Sequence, residues 1–567
     1  MWRKSYGRRK NHREIDPDEI LIDSQNISAF DTDQFEGRME RPLSRRSLSA
    51  AGLLVAVGAL LLLARAGDLQ ILNGTAYAKQ AEENQLEHVV LFADRGVIED
   101  RAGRPLAWND HAAGEAASST APNDFAARMY ATYRGIAHAL GYAKAPAKDS
   151  SGFYFRDTFV GVDGAEKAFD EQLKGENGLT LTETDARGRV VSQAAIRPPQ
   201  QGEKVVLSID AEVNQGLYDS LAARARAAQA QGAAGVVMNV RTGELLALTS
   251  YPEYSPSLLE RGDSAAITAY NADKHLPFLN RATDGLYAPG SIVKPLMAAA
   301  AIAEGVIDEH KQILSTGQLS VPNPYDPSKP TIFKDWRVNG WTDAREAIAV
   351  SSDVYFYEIG GGFESQPGLG IARIDQYLQR FGFGSDAGLK GFSEAGGTIP
   401  TPEWKAQNFP EDPLWRIGNT YHTSIGQYGT LVTPLQAVRM TAAIANGGVL
   451  LTPSLVASST PQSKTVTIDS HALQVAREGM RLGVTDGVAT AVNFPFVHVA
   501  AKTGTAQVGA RNENQNAWMV GFWPYENPLY AYAVVLEKMP AGTQVGGSAV
   551  MSEFFRFLET NAPQYLD

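Results

Sequence analysis

Three short groups of side chains in this sequence are of the types that move acyl groups. Ser291 is followed three residues on by Lys294, just after Pro289-Gly290 and ahead of the alanine-rich run LMAAAAIAEG. A serine hydroxyl is a weak nucleophile, and a lysine amine whose pKa is lowered by burial or by a neighbouring cation can take its proton. Proline is tolerated in the first turn of a helix, which places a helix start near Ser291. Lys294 then shares a face with Ser291, and the helix dipole favours negative charge there. A Ser-x-x-Lys match arises about once by chance in a chain of this size, and its plain alternative is a capping serine beside a solvated lysine.

Ser351-Ser352-Asp353 lies 60 residues later, ahead of the aromatic stretch VYFYEIG. Its plain reading is a helix N-cap. Its chemical reading makes Ser351 a proton shuttle and Asp353 a hydrogen-bonding partner for a lysine or for substrate. Lys502-Thr503-Gly504-Thr505 closes the apolar run VHVAA. With Gly504 letting substrate lie close against the strand, the N–H groups of Thr505 and Ser291 can form an oxyanion hole, and Lys502 supplies positive potential. Each group is weak alone; the three in this order are jointly strong.

The elements that must position them are legible from periodicity. GVVMNVRTGELLALTSYP at 235–252 reads as two strands around a turn at Arg241-Thr242-Gly243. VHVAAKTGTAQV, AWMVGFWP and YAYAVVLEK add three more strands. These five predict a mainly antiparallel sheet, covered by helices at 292–304, 369–381, 434–446 and 549–559, in one α+β domain. KVVLSID at 204–210 reads as a strand ending in Asp210, a cap for a helix from Ala211. Ahead of it, Val97 and Ile98 suit a short strand, residues 108–152 a loop or small helical insertion, and GVDGAEKAFDEQLKGENG at 161–178 a surface helix.

SLSAAGLLVAVGALLLLA, Ser47 to Ala64, runs 18 residues without a charge. As a helix it spans roughly 27 Å, close to the hydrocarbon thickness of a bilayer. Arg38, Arg41, Arg45 and Arg46 precede it, so the positive-inside rule puts residues 1–46 in the cytoplasm and the bulk of the chain outside. The run is longer than the apolar core of a signal peptide and follows a long leader, which favours an uncleaved anchor. The leader holds ten Lys or Arg and nine Asp or Glu and is expected to be flexible. The predicted organisation is a cytoplasmic tail at 1–46, a transmembrane helix at 47–66, a β-rich pedestal at 67–209 and a catalytic domain at 210–567.

Composition narrows the function further. The 567 residues carry 51 Lys and Arg against 63 Asp and Glu, a net −12, which argues against a nucleic-acid partner. The absence of cysteine excludes disulfides, thiolate catalysis and cysteine-ligated metals.

The trio of motifs matches the pattern of penicillin-binding proteins and serine β-lactamases, and with the anchor and pedestal the chain resembles class B penicillin-binding proteins of the elongation type. The likeness extends through RGVIEDRAGRPLA at 95–107, GVDGAEKAFDEQLKG at 161–175, TGELLALTSYPEYSP at 242–256, LNRATDGLYAPGSIVKP at 279–295, SIGQYGTLVTPLQ at 424–436 and AWMVGFWP at 517–524. The resemblance implies a peptidoglycan D,D-transpeptidase, with hydrolysis as a carboxypeptidase side reaction. Ser291 would be acylated by the D-Ala-D-Ala end of a stem peptide and Lys294 would be its base. Ser351 with Lys502 would relay protons. Thr503 and Thr505 would bind the substrate's carboxylate or backbone, beside Gly504, and Asp353 stands where many relatives have Asn. β-Lactams would trap Ser291.

The resemblance also implies residence in the inner (cytoplasmic) membrane. Its implied partner is a SEDS-type, RodA-like glycosyltransferase, met through the pedestal and the transmembrane helix. Some elongation-type relatives hold zinc between the first two motifs. That interval here has Asp326, Asp335 and Asp343 but no Cys, and its only His is His310, so no metal or other cofactor is expected. A division-type transpeptidase, or a silent scaffold that activates a glycan polymerase, are the alternative readings.

Overall fold

The computed structural model describes residues 44–83, 86–112, 125–184, 190–323, 326 and 328–567. The expected tail falls almost wholly outside these residues. The chain divides into two compact units, residues 1–86 with 184–189, and residues 87–183 with 190–567.

In the first unit, α1 (Arg45–Gly67) starts at Ser44, whose hydroxyl caps Ser47 N–H, and runs on through one wider turn to Leu72. These 28 residues are long and apolar enough to cross a membrane, and the helix carries its leucines exposed. It overruns the charge-free stretch at both ends, because Arg65 pairs with Asp68 one turn on and so stays within the helix. A shorter helix, α2 (Gly74–Glu83), follows.

The second unit opens with a small sheet. Its strands are β1 (Ile98–Glu99), β2 (Pro105–Asp110), β3 (Ala127–Tyr130) and β4 (Val205–Val206), in the order β4-β1-β2-β3. The stretch read as a surface helix breaks at Phe169 into two short turns of helix, and Glu166 points inward. The cause is electrostatic. Arg95 and Arg128 are both buried, and Glu166 answers them with one oxygen each, at 2.6 and 2.8 Å. Residues 204–210 form only a two-residue strand, but Asp210 caps α3 (Ala211–Ala227) as expected, accepting from Glu212 and Val213 N–H. Arg104 binds Asp100, Asp210 and Glu212 together, which fastens the turn after β1 to the start of α3.

The central sheet contains β5 (Gly232–Asn239), β6 (Leu245–Tyr251), β7 (Ala500–Val508), β8 (Asn514–Trp523) and β9 (Tyr530–Pro540), ordered β6-β5-β9-β8-β7 and antiparallel throughout. Side chains alternate between its faces with period two, and both faces are covered. Ala234, Val236 and Met238 of β5, with Trp518, Val520 and Phe522 of β8, enter the core on one side. Ala233 and Val237, with Met519 and Trp523, join Leu217 and Leu221 of α3 and Phe554, Phe555 and Leu558 of the C-terminal helix Gly547–Asn561 on the other. The first face is covered by helices Lys294–Ala303, Pro434–Ala445 and Ser470–Asp486. One helix long and apolar enough to cross a membrane among the described residues, a β-containing region and a helix-covered five-stranded sheet are the α+β architecture read from the sequence. Strand β7, with the Lys-Thr-Gly-Thr motif, is an edge of the sheet.

Candidate active site

The first motif sits in a turn that the edge strand presses into place. Gly290–Val293 forms a 3₁₀ turn, and the α-helix begins at Lys294. With three residues per turn, positions i and i+3 eclipse, which stacks Lys294 beside Ser291. Gly290 has φ +57°, and a Cβ there would lie 2.8 Å from Thr505 O; one at Gly504 would lie 2.8 Å from Ile292 Cγ2 and 2.9 Å from Pro289 O. Glycine is therefore required on both sides of a close backbone approach. At Gly504 the crowding comes from the protein's own turn, a constraint additional to the room for substrate that the sequence suggested. Because the carbonyl of Thr505 faces this turn, its N–H does too, since both groups of a strand residue point to one side. That is the geometry an oxyanion hole needs. The Trp518 indole donates to Ala288 O and fixes the approach to the turn from β8.

The second motif divides its two readings between neighbouring serines. Ser352 is the N-cap of the helix Asp353–Gly361, its hydroxyl accepting from Tyr355 N–H. Ser351 ends the preceding helix, Ala344–Val350, in the left-handed region at φ 60°, a strained conformation for a serine that costs about 1–2 kcal/mol. That conformation turns its hydroxyl toward both lysines. Lys502 Nζ donates to Ser351 Oγ at 2.8 Å and to Thr503 O at 2.8 Å. Lys294 Nζ donates to Ser351 O at 2.8 Å, to Ser351 Oγ at 3.3 Å and to Asp353 Oδ1 at 2.6 Å.

Both lysines are buried. Burial pushes the Lys502 amine well below its ordinary range; the charge of Lys294 pushes the same way, and Asp353 opposes it more weakly. The site thus holds one lysine paired with a carboxylate and one whose amine burial pushes toward its neutral form, joined through a single hydroxyl. Ser291, Ser351, Asp353, Thr503 and Thr505 line one cavity of about 350 Å³ with Trp336, Ile425, Gln427 and Val488. All eight residues singled out from the sequence therefore meet here, Lys294, Lys502 and Gly504 beneath the cavity and the others on its wall.

Residues 233–557 match the family described as the penicillin binding protein transpeptidase domain, and residues 120–207 match the penicillin-binding protein dimerisation domain. The chain belongs to the penicillin-binding protein transpeptidases. Relatives of this penicillin-binding protein include peptidoglycan D,D-transpeptidase MrdA of Escherichia coli strain K12, 29% identical over 606 residues that cover 88% of this chain and 92% of that protein. MrdA of Salmonella typhimurium strain LT2 is 31% identical over 459 residues, covering 73% and 70%. A solved structure described as showing coordination of polymerization and crosslinking by a peptidoglycan synthase complex aligns with a TM-score of 0.69 at 26% identity, over 90% of this chain and 97% of that one.

Ile425 and Gln427 lie in the SIGQYGTLVTPLQ stretch, so the resemblance marked their neighbourhood without giving them a place. Trp336 and Val488 carried no local signal. They reach the cavity only through the tertiary fold: the Trp336 indole donates to Val350 O, and Val488 N–H donates to Ala349 O. Of the acidic residues between the first two motifs, Asp343 caps the helix Ala344–Val350, Asp326 pairs with Lys329, and Asp335 faces Ser315 and Ser352. Among the described residues no group of three or more His, Cys, Asp or Glu side chains is placed to hold a metal.

Proposed function

We propose that Ser291 is the acylated nucleophile of an elongation-type peptidoglycan D,D-transpeptidase, with D-Ala-D-Ala stem peptides as acyl donors. The observation that carries the assignment of roles is the meeting of two buried lysines on Ser351 Oγ, on the wall of the cavity that Ser291 opens into.

In this reading the Ser291 hydroxyl attacks the carbonyl of the penultimate D-Ala and passes its proton to the Lys294 amine. The oxyanion is held by the N–H groups of Ser291 and Thr505. Collapse breaks the peptide bond, and the departing D-Ala nitrogen takes the proton that Lys294 received, relayed through Ser351 Oγ with Lys502 on the same hydroxyl. The amine of a neighbouring stem then attacks the ester, loses a proton along the same path, and frees Ser291 as the cross-link forms. Thr503 and Thr505 hold the terminal carboxylate, Gly504 keeps the strand against the nucleophile's turn, and Asp353 holds Lys294 in place. A β-lactam presents the same acyl carbonyl but keeps its leaving group tethered, so the ester persists.

In this reading the protein sits in the inner membrane with its N-terminus in the cytoplasm and residues after about 67 outside, which the long apolar helix and the arginine bias support. A SEDS-type, RodA-like glycosyltransferase is the proposed partner, met through the region 67–209 and the transmembrane helix; the similarity to a synthase complex that couples polymerization with crosslinking supports this.

The test is release of D-Ala from a pentapeptide ending in D-Ala-D-Ala. Wild type releases it and Ser291→Ala does not; equal release by both would sink the assignment. Depletion that rounds the cells supports the elongation role, and filaments contradict it.

A further inference from the structure

Asp335 lies in the loop between the strands Thr331–Lys334 and Gly340–Thr342, outside all three motifs. Its carboxylate gathers donors from three directions. One oxygen accepts from Ser315 Oγ at 2.8 Å, from Ser352 Oγ at 2.8 Å and from Val354 N–H at 3.1 Å. The other accepts from Trp336 N–H at 2.8 Å, and the backbone N–H of Asp335 is itself held by Gly317 O at 2.9 Å.

Ser352 and Val354 flank Asp353, and Ser352 follows Ser351. A single carboxylate therefore fixes the residues on either side of the one that binds Lys294. Since Ser352 Oγ accepts from Tyr355 N–H, its own proton is free to go to Asp335, so the cap and the clamp use opposite sides of one hydroxyl. The carboxylate sits at the N-terminus of the helix Asp353–Gly361, where negative charge is favoured. Burial pushes the Asp335 carboxyl up, but the hydrogen bonds from Asp353 and Val354 N–H and from the Ser315 and Ser352 hydroxyls outweigh it and hold it below the usual carboxylate range. It stays charged at neutral pH. Through Trp336 the same residue also sets one wall of the cavity.

We propose that Asp335 is a positioning residue for acyl transfer: its carboxylate clamps Ser352 and Val354, and thereby aims Ser351 at Lys502 and Asp353 at Lys294. The strained backbone of Ser351 needs such a restraint, because without it the chain can relax by rotating the hydroxyl away from the lysines. The inference rests on the acyl-transfer reading above.

The experiment separates binding from acylation in the reaction of the full-length protein with fluorescent penicillin, for wild type, Asp335→Asn, Ser352→Ala and Ser315→Ala. Asn keeps the shape but sets an amide donor or a weaker acceptor against the three donors on that oxygen. The expected result is a fall of about 10- to 100-fold in the first-order acylation constant for Asp335→Asn, as for other small misplacements of reacting groups. The dissociation constant of the non-covalent complex should change less than about 3-fold. Ser352→Ala should lower acylation in the same direction, and serves alone if Asp335→Asn does not fold. Ser315→Ala removes one donor to the carboxylate but leaves its bonds to Ser352 and Val354, so it should change acylation less than about 3-fold. Unchanged acylation in both Asp335→Asn and Ser352→Ala, or a fall in Ser315→Ala as large as theirs, overturns the proposal. A wild type that does not label at all fails the acyl-transfer reading itself.

Discussion

Replacing Gly504 by alanine puts the packing of nucleophile turn against edge strand to a quantitative test. The added methyl would lie 2.8 Å from Ile292 Cγ2 and 2.9 Å from Pro289 O. Carbon atoms rest at about 3.5 Å or more, so the gap must open by roughly 0.6 Å. Pro289 O cannot swing aside alone, because it belongs to the backbone that enters the turn of Ser291. The relief therefore displaces Ser291 from Thr505 and Lys502. Overpacking of this size costs about 1–3 kcal/mol, whereas a misplacement approaching 1 Å at a reacting centre costs on the order of 100-fold in rate. Gly504→Ala should thus lower the acylation constant for fluorescent penicillin by about 100-fold, while urea unfolding shows a loss of only about 1–3 kcal/mol. Wild-type acylation by this variant would refute the reasoning. A weaker non-covalent complex with unchanged acylation would instead show that the glycine serves only to admit substrate.

Three further outcomes follow from the same structure. Ser351→Gly keeps the left-handed backbone without strain but removes the hydroxyl where the lysines meet, so acylation should fall by about 100-fold or more while the melting temperature stays within a few degrees; full activity would dismiss the relay. The folded amine of Lys502 titrates well below the unfolded value near 10.5, so between those limits the unfolded chain binds the extra proton and stability rises with pH. Wild type should therefore gain stability relative to Lys502→Met as the pH rises toward 10.5, with a slope of at most about 1.4 kcal/mol per pH unit in urea unfolding, and parallel curves would contradict the depressed titration. Glu166→Gln leaves the buried guanidinium of Arg128 without its carboxylate partner and Arg95 with Asp170 alone, and should destabilise by about 3–5 kcal/mol, measured by denaturant unfolding; a loss under 1 kcal/mol would show that water or another group replaces it.

The strands of the central sheet were legible because four of them are buried on both faces and all are apolar runs bounded by turn residues, and the Ser-x-x-K, Ser-x-Asp and Lys-Thr-Gly triad was legible because its order is far rarer than its parts. Other features were not, for reasons that are physical. Ser351-Ser352-Asp353 read as either a cap or a catalytic group, and spacing cannot reveal that Ser352 caps while the left-handed backbone of Ser351 turns its hydroxyl to the lysines. The helix at 161–178 looked exposed because Glu166 is charged, and its burial depends on Arg95 and Arg128, 71 and 38 residues away. Asp335 and Trp336 act through partners that only the fold supplies. Local pattern thus specified the elements and the motif residues that meet at the cavity, while the contacts that hold those residues in place join segments far apart in sequence.

The most direct test of the account is to react wild type and Ser291→Ala with a penicillin and measure intact mass, then map the modified peptide. The account predicts one penicilloyl group on wild type, carried by Ser291, and no added mass on Ser291→Ala. Equal modification of both, or an adduct on another residue, would contradict it.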